Sequence, residues 1–169
     1  MGLTLRTLLP ERFHDLLAAT DRRTPDAHEF CDPDLGEGPE DTDLPHGLSL
    51  DERVEYATAA FELMGIEAFA RVVVFAGHAS RTANNPFGSA LDCGACAGNP
   101  GGPSARVLAT ICNDEDVKAA LRERGVAVPE DTIFVAGEHN TTTDEVMLFD
   151  SHVPESHAED IEQLRADLE

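Results

Sequence analysis

Residues 71–106, RVVVFAGHASRTANNPFGSALDCGACAGNPGGPSAR, are the stretch around which the fold of this chain is organised. The stretch opens with a continuous apolar run at 72–76. Its length and β-branched content predict a strand that is buried on both faces, as in a parallel sheet. Gly77 ends the run, so His78 is expected at the carboxyl end of the strand, where open α/β sheets bind their ligands.

A polar loop follows this strand and carries Asp92, Cys93 and Cys96. A glycine-rich segment at 98–102 then leads to a predicted helix, with Pro103 in its first turn. Histidine and cysteine are two of the side chains that zinc prefers as ligands. The stretch therefore delivers one of each to the same edge of the predicted sheet.

A helix is predicted immediately before this stretch. Ser49 and Glu52 have the spacing of a capping box, and Gly65 marks the end of the helix. The apolar residues between them repeat at helical spacing, which predicts one face in the core. The residues expected on that face are Val54, Ala57, Phe61 and Met64.

Helices and strands also alternate after the cysteines. The predicted elements are helices at 103–111 and 115–124, strands at 132–136 and 146–149, and a final helix opened by a capping box at Ser156. Asn113 is the expected cap of the helix at 115–124. If the strands at 72–76 and 132–136 are parallel, His139 reaches the same edge as His78. The alternation predicts an α/β fold, a layered sheet with parallel strands and flanking helices.

The 169 residues are enough for one α/β domain, spanning 1–169, or for a fragment of a larger one. Leucine spacing at 2–19 predicts a helix that packs on the sheet. Residues 20–45 are rich in Asp, Glu, Pro and Gly, which indicates an irregular acidic linker or insertion.

The chain is strongly acidic, with a formal net charge of -21 from 33 Asp and Glu against 12 Lys and Arg. This charge opposes binding to nucleic acid or to an anionic membrane surface. Because the carboxylates are spread along the whole sequence, they predict a halophilic surface rather than an acidic tail.

No apolar run approaches the ~20 residues that a membrane-spanning helix needs. Charges interrupt the first 19 residues, so no signal peptide is expected. These features predict a cytoplasmic protein, held at the inner face of the membrane only through a partner.

Five segments, GHAS, NNP, SALDCGACAG, GGPSARVLA and HNTTTDEV, resemble the DabA family of probable inorganic carbon transporter subunits. The resemblance covers almost the whole chain. The order of strand, Gly-His, spacer and Cys-Gly also resembles the zinc site of β-carbonic anhydrases, which implies a core of that type. Members of the DabA family are several times longer, so the resemblance implies that this chain is one part of a family member.

The resemblance implies that Zn²⁺ is held by His78 and Cys93, together with a Cys-x-Asp pair on an earlier strand. That pair has no counterpart here, because Pro33 stands where the aspartate would follow Cys31. The complete site would activate water for attack on carbon dioxide. The family is thought to couple this chemistry to a membrane-embedded, proton-conducting partner, DabB, so that bicarbonate accumulates. Hydration of carbon dioxide is therefore expected only if another segment or chain supplies the missing pair.

Further polar residues are candidates to orient the zinc ligands or to line the pocket, although turns and caps account for the same residue types. These candidates are Asp92, Cys96, Asn84, Asn85, Arg106 and His139. Cys112 extends the apolar side of a helix and is expected to be a small buried residue. The remaining histidines lie among polar neighbours and are expected to be solvated: His14, His28, His46, His152 and His157.

A second function class remains open from the residues alone. Cys93 and Cys96 have the Cys-x-x-Cys spacing of a redox pair, and two cysteines can also contribute to a structural zinc site. The alternative is therefore a small module that binds zinc or exchanges disulfides without catalysis of its own.

Overall fold

The computed structural model of the chain describes residues 33, 35, 47–81 and 85–168. The helix predicted at 2–19, Cys31 and nearly all of the linker predicted at 20–45 lie outside the described residues, as does Asn84.

The first described helix, α1 (Leu50–Met64), begins at the predicted capping box. The Glu52 backbone N–H donates to Ser49 Oγ at 3.3 Å, and the Ser49 backbone N–H donates to the Glu52 carboxylate at 2.8 Å. Gly65 ends the helix with a left-handed backbone at φ 67°. The prediction for Met64 is wrong, because the chain turns away at Gly65 directly after it and leaves its side chain 50% exposed. The other three predicted core residues of α1 are buried: Val54, Ala57 and Phe61.

Three strands form one mixed sheet in the described part of the chain: β1 (Val72–Ala79), β2 (Ile133–Asn140) and β3 (Glu145–Phe149). Their order is β1-β2-β3, with β1 parallel to β2 and β3 antiparallel to β2. The predicted α/β fold with parallel strands is confirmed, and the antiparallel third strand makes the sheet mixed.

Both parallel strands extend beyond their apolar runs. Gly77 and His78 continue β1 because their backbones pair with Glu138 and His139 of β2. The strand therefore continues past the apolar run and ends at Ala79. His78 still lies at the carboxyl end.

Burial on both faces is a property of β2 and not of β1. Residues 134–137 of β2 are all buried. In β1 only Phe75 and Ala79 are buried, and Ala76 is exposed. The reason is that β2 is the central strand, whereas β1 has a sheet partner on only one side among the described residues.

The core lies between one face of the sheet and two helices, α2 (Gly102–Asn113) and α1, and α3 (Glu115–Glu123) packs against both helices. Stacked aromatic rings join these layers. The ring centroids of Phe75 and Phe134 are 5.5 Å apart, and those of Phe61 and Phe134 are 5.8 Å apart. Cys112 is fully buried in this core, as predicted.

Asp114, and not Asn113, caps α3. Its carboxylate accepts the backbone N–H groups of Asp116 and Val117 at 2.9 and 3.2 Å. The Asn113 side chain instead pairs with the backbone of Phe134, accepting its N–H at 2.8 Å and donating to its carbonyl at 2.7 Å. Asn113 therefore joins the end of α2 to β2.

The last helix, α4 (Ala158–Leu168), follows a short 3₁₀ helix at Glu155–His157. The capping box predicted at Ser156 does not form, because Ser156 lies inside that 3₁₀ turn and its hydroxyl is 3.0 Å from His157 Nδ1. His157 was predicted to be solvated, but it is only 5% exposed and its Nε2 lies 2.7 Å from the Asp131 carbonyl oxygen. His152 is exposed, as predicted. Within residues 47–81 and 85–168, no helix is both long and apolar enough to cross a membrane.

Candidate functional site

The carboxyl ends of the two parallel strands bring two histidines side by side. His78 of β1 and His139 of β2 are register partners, and their ring centroids are 6.1 Å apart. His139 also contacts Asp144, whose carboxylate lies 2.8 Å from His139 Nε2. The His78 residue is exposed. The expectation that both histidines reach one sheet edge is met.

Residues 91–101, called here the cysteine loop, end by crossing directly over β1. The Gly101 backbone N–H donates to the His78 carbonyl at 2.7 Å. A Cβ atom built on Gly77 would lie 2.2 Å from the Gly101 carbonyl carbon, a distance that no side chain can occupy. Two facing glycines therefore allow the loop to contact the strand next to His78.

The other end of the cysteine loop is attached to the same place. The Thr141 hydroxyl lies 2.7 Å from the Leu91 carbonyl oxygen and 3.0 Å from the Ala79 carbonyl oxygen. The Thr141 backbone N–H also donates to Ala79 at 2.8 Å. Since Leu91 and Gly101 are both held at the last residues of β1, Cys93 lies on a short loop that starts and ends beside His78.

Within the loop, Cys93 begins a compact turn. Its carbonyl accepts the backbone N–H groups of Cys96 at 3.1 Å and Gly98 at 3.0 Å, and its own N–H donates to Asn99 at 3.2 Å. Ala97 and Gly98 complete the turn with left-handed backbones at φ 57° and 77°. Cys93 and Cys96 consequently lie on the same turn, linked by a backbone hydrogen bond.

This turn favours a thiolate at Cys93. A hydrogen bond from the Cys96 side chain is the largest cause that lowers the pKa of Cys93, followed by the Cys96 backbone N–H, with a smaller contribution from that of Ala95. Cys96 Sγ also lies 3.4 Å from the Ser104 hydroxyl of α2. In contrast, burial raises the pKa of Cys112 to about 12. Because the thiolate is the form that binds metals and reacts with electrophiles, Cys93 is the residue suited to that role.

Two buried polar atoms at this end of the sheet have no hydrogen-bond partner among the described residues. One is Oδ1 of Asp92, next to Cys93, and the other is Nδ2 of Asn140, the last residue of β2. Buried polar groups are normally paired, so each marks a position where a ligand, water or further residues complete the structure.

The donors for a metal are fewer than a closed zinc site needs. Among the described residues, no three His, Cys, Asp or Glu side chains are grouped so that they could hold a metal ion. His78 and Cys93 have the right donor chemistry, an imidazole and a favoured thiolate. They fit half of a four-coordinate zinc site.

The remaining predicted pocket residues lie in different places. Asn85 is exposed and its side chain accepts the Phe87 backbone N–H at 2.9 Å, so it stabilises a turn. Arg106 lies on α2 with its guanidinium 5.2 Å from the centre of the Phe149 ring. It also lines a cavity of about 530 Å³ that includes Phe134 and Lys118.

Comparisons with known proteins agree on one family. The family model described as "Probable inorganic carbon transporter subunit DabA" matches residues 1–169. A relative with that description from Haloarcula marismortui is 66% identical, over 99% of this chain and 21% of the relative. Others are from Natronomonas pharaonis, 59% identical over 99% of this chain and 20% of the relative, and Salinibacter ruber, 52% identical over 99% and 21%. The chain thus spans about a fifth of the length of these relatives. No solved structure matches it.

Proposed function

Because this chain belongs to the DabA family, we propose that it is part of an inorganic carbon transporter subunit and supplies His78 and Cys93 to a zinc site. In this proposal the chain carries half of a carbonic-anhydrase-like centre. The substrate class is carbon dioxide and bicarbonate.

The attachment of the cysteine loop is the observation that carries the proposal. The Gly101 N–H bonds to the His78 carbonyl at one end, and the Thr141 hydroxyl joins Leu91 to Ala79 at the other. A loop of this length that is held at both ends keeps Cys93 near the carboxyl end of β1. This is the edge at which α/β sheets bind their ligands.

The individual side chains have separate roles in the proposed site. His78 donates an imidazole nitrogen, and Cys93 donates a thiolate that is stabilised by Cys96. The unpartnered carboxylate oxygen of Asp92 is available to accept a hydrogen bond from a ligand or a water molecule. Zinc bound here would supply the Lewis acidity that activates water toward carbon dioxide.

The missing ligands and the membrane partner complete the proposal. A Cys-x-Asp pair on another segment of the family's polypeptide would provide the remaining protein ligands. A transporter subunit also needs a route for its substrate or its driving ion across the bilayer. We therefore include a membrane-embedded, proton-conducting partner of the DabB type, with this chain peripheral on the inner face of the membrane.

The test compares zinc binding in two proteins. One is this chain alone, and the other is the full-length Haloarcula relative in which the matched 169 residues are replaced by this chain. Competition with a chromophoric chelator measures the affinity. Since affinity comes from several ligands acting together, we expect one tightly bound zinc per full-length chain and binding at least about a hundredfold weaker in the isolated chain.

Substitutions identify the ligands. In the full-length protein, His78→Ala and Cys93→Ser are each expected to abolish tight zinc binding, whereas His152→Ala at an exposed histidine serves as the control. The half-site proposal is wrong if the isolated chain binds zinc tightly and stoichiometrically. Loss of that binding in Cys31→Ser would identify Cys31 as the ligand that replaces the missing pair.

A second candidate function, a Cys-x-x-Cys redox pair, is favoured by the lowered pKa of Cys93, for which the Cys96 side chain is the largest cause. The two candidates differ in how zinc affects thiol reactivity. As a zinc ligand, Cys93 reacts with iodoacetamide only after chelation. Rapid labelling of both cysteines in zinc-loaded protein, unchanged by chelator, would favour the redox pair.

A further inference from the structure

One face of the sheet is apolar and is only partly covered among the described residues. Side chains alternate between the two faces of a strand, so Phe75 of β1 points into the helix-covered core and its neighbours point the other way. On that other face, Val72 and Val74 are half-buried, and Ala76 is exposed. Hydrophobic residues of a parallel strand are ordinarily covered.

The same face continues across β2 and β3. Gly137 of β2 pairs with Ala76 on one side and Leu148 on the other. A Cβ atom built on Gly137 would lie 3.5 Å from both the Leu148 and the Val74 side chains, so all of these residues lie on one face. We call this surface the open face and define it by Val72, Val74, Ala76, Gly137, Val146 and Leu148.

The helix α4 is connected to the opposite end of the strands. Asp160 of α4 pairs with Arg71, which precedes β1, and His157 contacts the Asp131 carbonyl before β2. At that end Val135 is 2% exposed, whereas Ala76, nearer the carboxyl end, is exposed. The uncovered part therefore lies on β1, at Ala76 and His78. The outer edge of β1 is also unpaired among the described residues.

From these observations we propose that the open face is a docking surface for an apolar segment of the same family polypeptide, from the four fifths that this chain does not span. Three facts support this occupant. The relatives matched by this chain are about five times its length. Parallel strands are found with both faces covered, and in the described part of the chain α2 packs on only one face of β1 and β2. A half-covered apolar face and an unpaired strand edge are surfaces that natural proteins normally cover.

Cysteine labelling tests the proposal without reference to zinc. Ala76→Cys is made in this chain and in the full-length Haloarcula relative that carries this chain in place of its matched residues. Both proteins are treated with a maleimide in excess chelator, and the modified peptides are quantified by mass spectrometry. We expect rapid labelling of position 76 in the isolated chain and labelling at least about tenfold slower in the full-length protein.

Two controls keep the experiment decisive. Leu63→Cys, at a side chain that is 89% exposed on α1, reports reagent access in each protein. Val146→Cys, on β3 of the same face, provides a second position if Ala76→Cys does not fold. Because chelator is present throughout, failure of the zinc proposal leaves this result unaffected.

Three outcomes would overturn the proposal. Equal labelling of position 76 in both proteins would mean that the face stays open in the complete polypeptide. Protection in the isolated chain that disappears on dilution would mean that a second copy covers the face. Protection in the isolated chain at all concentrations would mean that its own N-terminal residues cover it.

Discussion

Gly77 is the residue on which the position of the cysteine loop depends most directly. Gly77→Ala would place a methyl group 2.2 Å from the Gly101 backbone, and the strand and the loop would have to separate. We expect a loss of roughly 1–3 kcal/mol in the free energy of unfolding, the usual range for overpacking, together with loss of zinc affinity in the full-length protein.

Denaturant unfolding and chelator competition measure these two effects. Gly94→Ala, in the same loop, is the matched control because a Cβ atom there meets no atom within 4 Å. Equal stability of the two variants would mean that the loop does not need the close approach at Gly77.

At the residue level, the candidate ligands are predictable, but the contacts that position them are not. His78 and His139 follow apolar runs, and parallel strands necessarily end at the same edge, so their proximity follows from local patterns. The facing of Gly77 and Gly101 involves residues 24 positions apart in the sequence. Thr141 and Leu91, which are joined by a hydrogen bond, are 50 positions apart in the sequence. No local pattern encodes such long-range contacts.

Among the elements, α1 depends on a cap whose two reciprocal hydrogen bonds are both present. Ser49→Ala removes the acceptor for the Glu52 backbone N–H and is expected to lower the free energy of unfolding by about 1 kcal/mol. The pKa of the Glu52 carboxyl is lowered by its bonds from the Ser49 side chain and backbone. A lowered pKa contributes stability above the group's usual range, and this contribution is lost as the pH falls through the lowered value.

Thermal unfolding at neutral and acidic pH checks both parts of this prediction. Ser156→Ala is the matched control, since it has the same Ser-x-x-Glu spacing but lies inside a 3₁₀ turn rather than at a cap. A loss of stability in Ser49→Ala that does not shrink at acidic pH would argue against the role of Glu52.

The helices and strands themselves are largely predictable from the spacing of apolar residues and from the glycine, proline and capping residues between them. Their exact ends and their burial are not. The apolar run of β1 ends before Gly77, but backbone pairing with β2 extends the strand to Ala79. Asn113 predicts a cap, but Asp114 is the residue with free access to the α3 N–H groups. The apolar run of β1 is typical of a central strand, whereas among the described residues β1 lies at the edge of the sheet.

At the scale of the whole molecule, the open face and the proposed zinc half-site share one feature. Both lie toward the carboxyl end of β1. In both proposals the missing partner is a segment from the roughly four fifths of the relatives' polypeptide that this chain does not span. The incomplete metal site is implied by the family resemblance, because the family's Cys-x-Asp pair has no counterpart in the sequence. The sequence does not predict the open face, because the pattern of apolar residues in a strand does not show which of its two faces is covered.

Net charge gives the last prediction. The chain has 33 acidic and 12 basic residues, and a formal net charge of -21 makes self-repulsion its dominant long-range electrostatic effect. Salt also weakens attractive pairs such as Arg71 with Asp131, but an exposed pair of this kind contributes only ~0–1 kcal/mol. The Debye length falls from about 10 Å at 0.1 M salt to about 3 Å at 1 M, so repulsion between spread carboxylates is relieved. We therefore expect the thermal unfolding midpoint to rise between 0.1 and 1 M KCl.

Three charge reversals distinguish screening from general stabilisation by solutes. Glu55, Glu62 and Glu123 are exposed helix residues, and replacing each with lysine reduces the excess of negative charge. If repulsion is the cause, the variant is more stable than the original chain at low salt, and its midpoint changes less with KCl. Sucrose, which stabilises folded proteins without screening charges, should raise the midpoint of both proteins equally. An original chain whose midpoint is the same at both salt concentrations would contradict the halophilic interpretation, since its acidic surface would then carry no electrostatic cost for salt to remove.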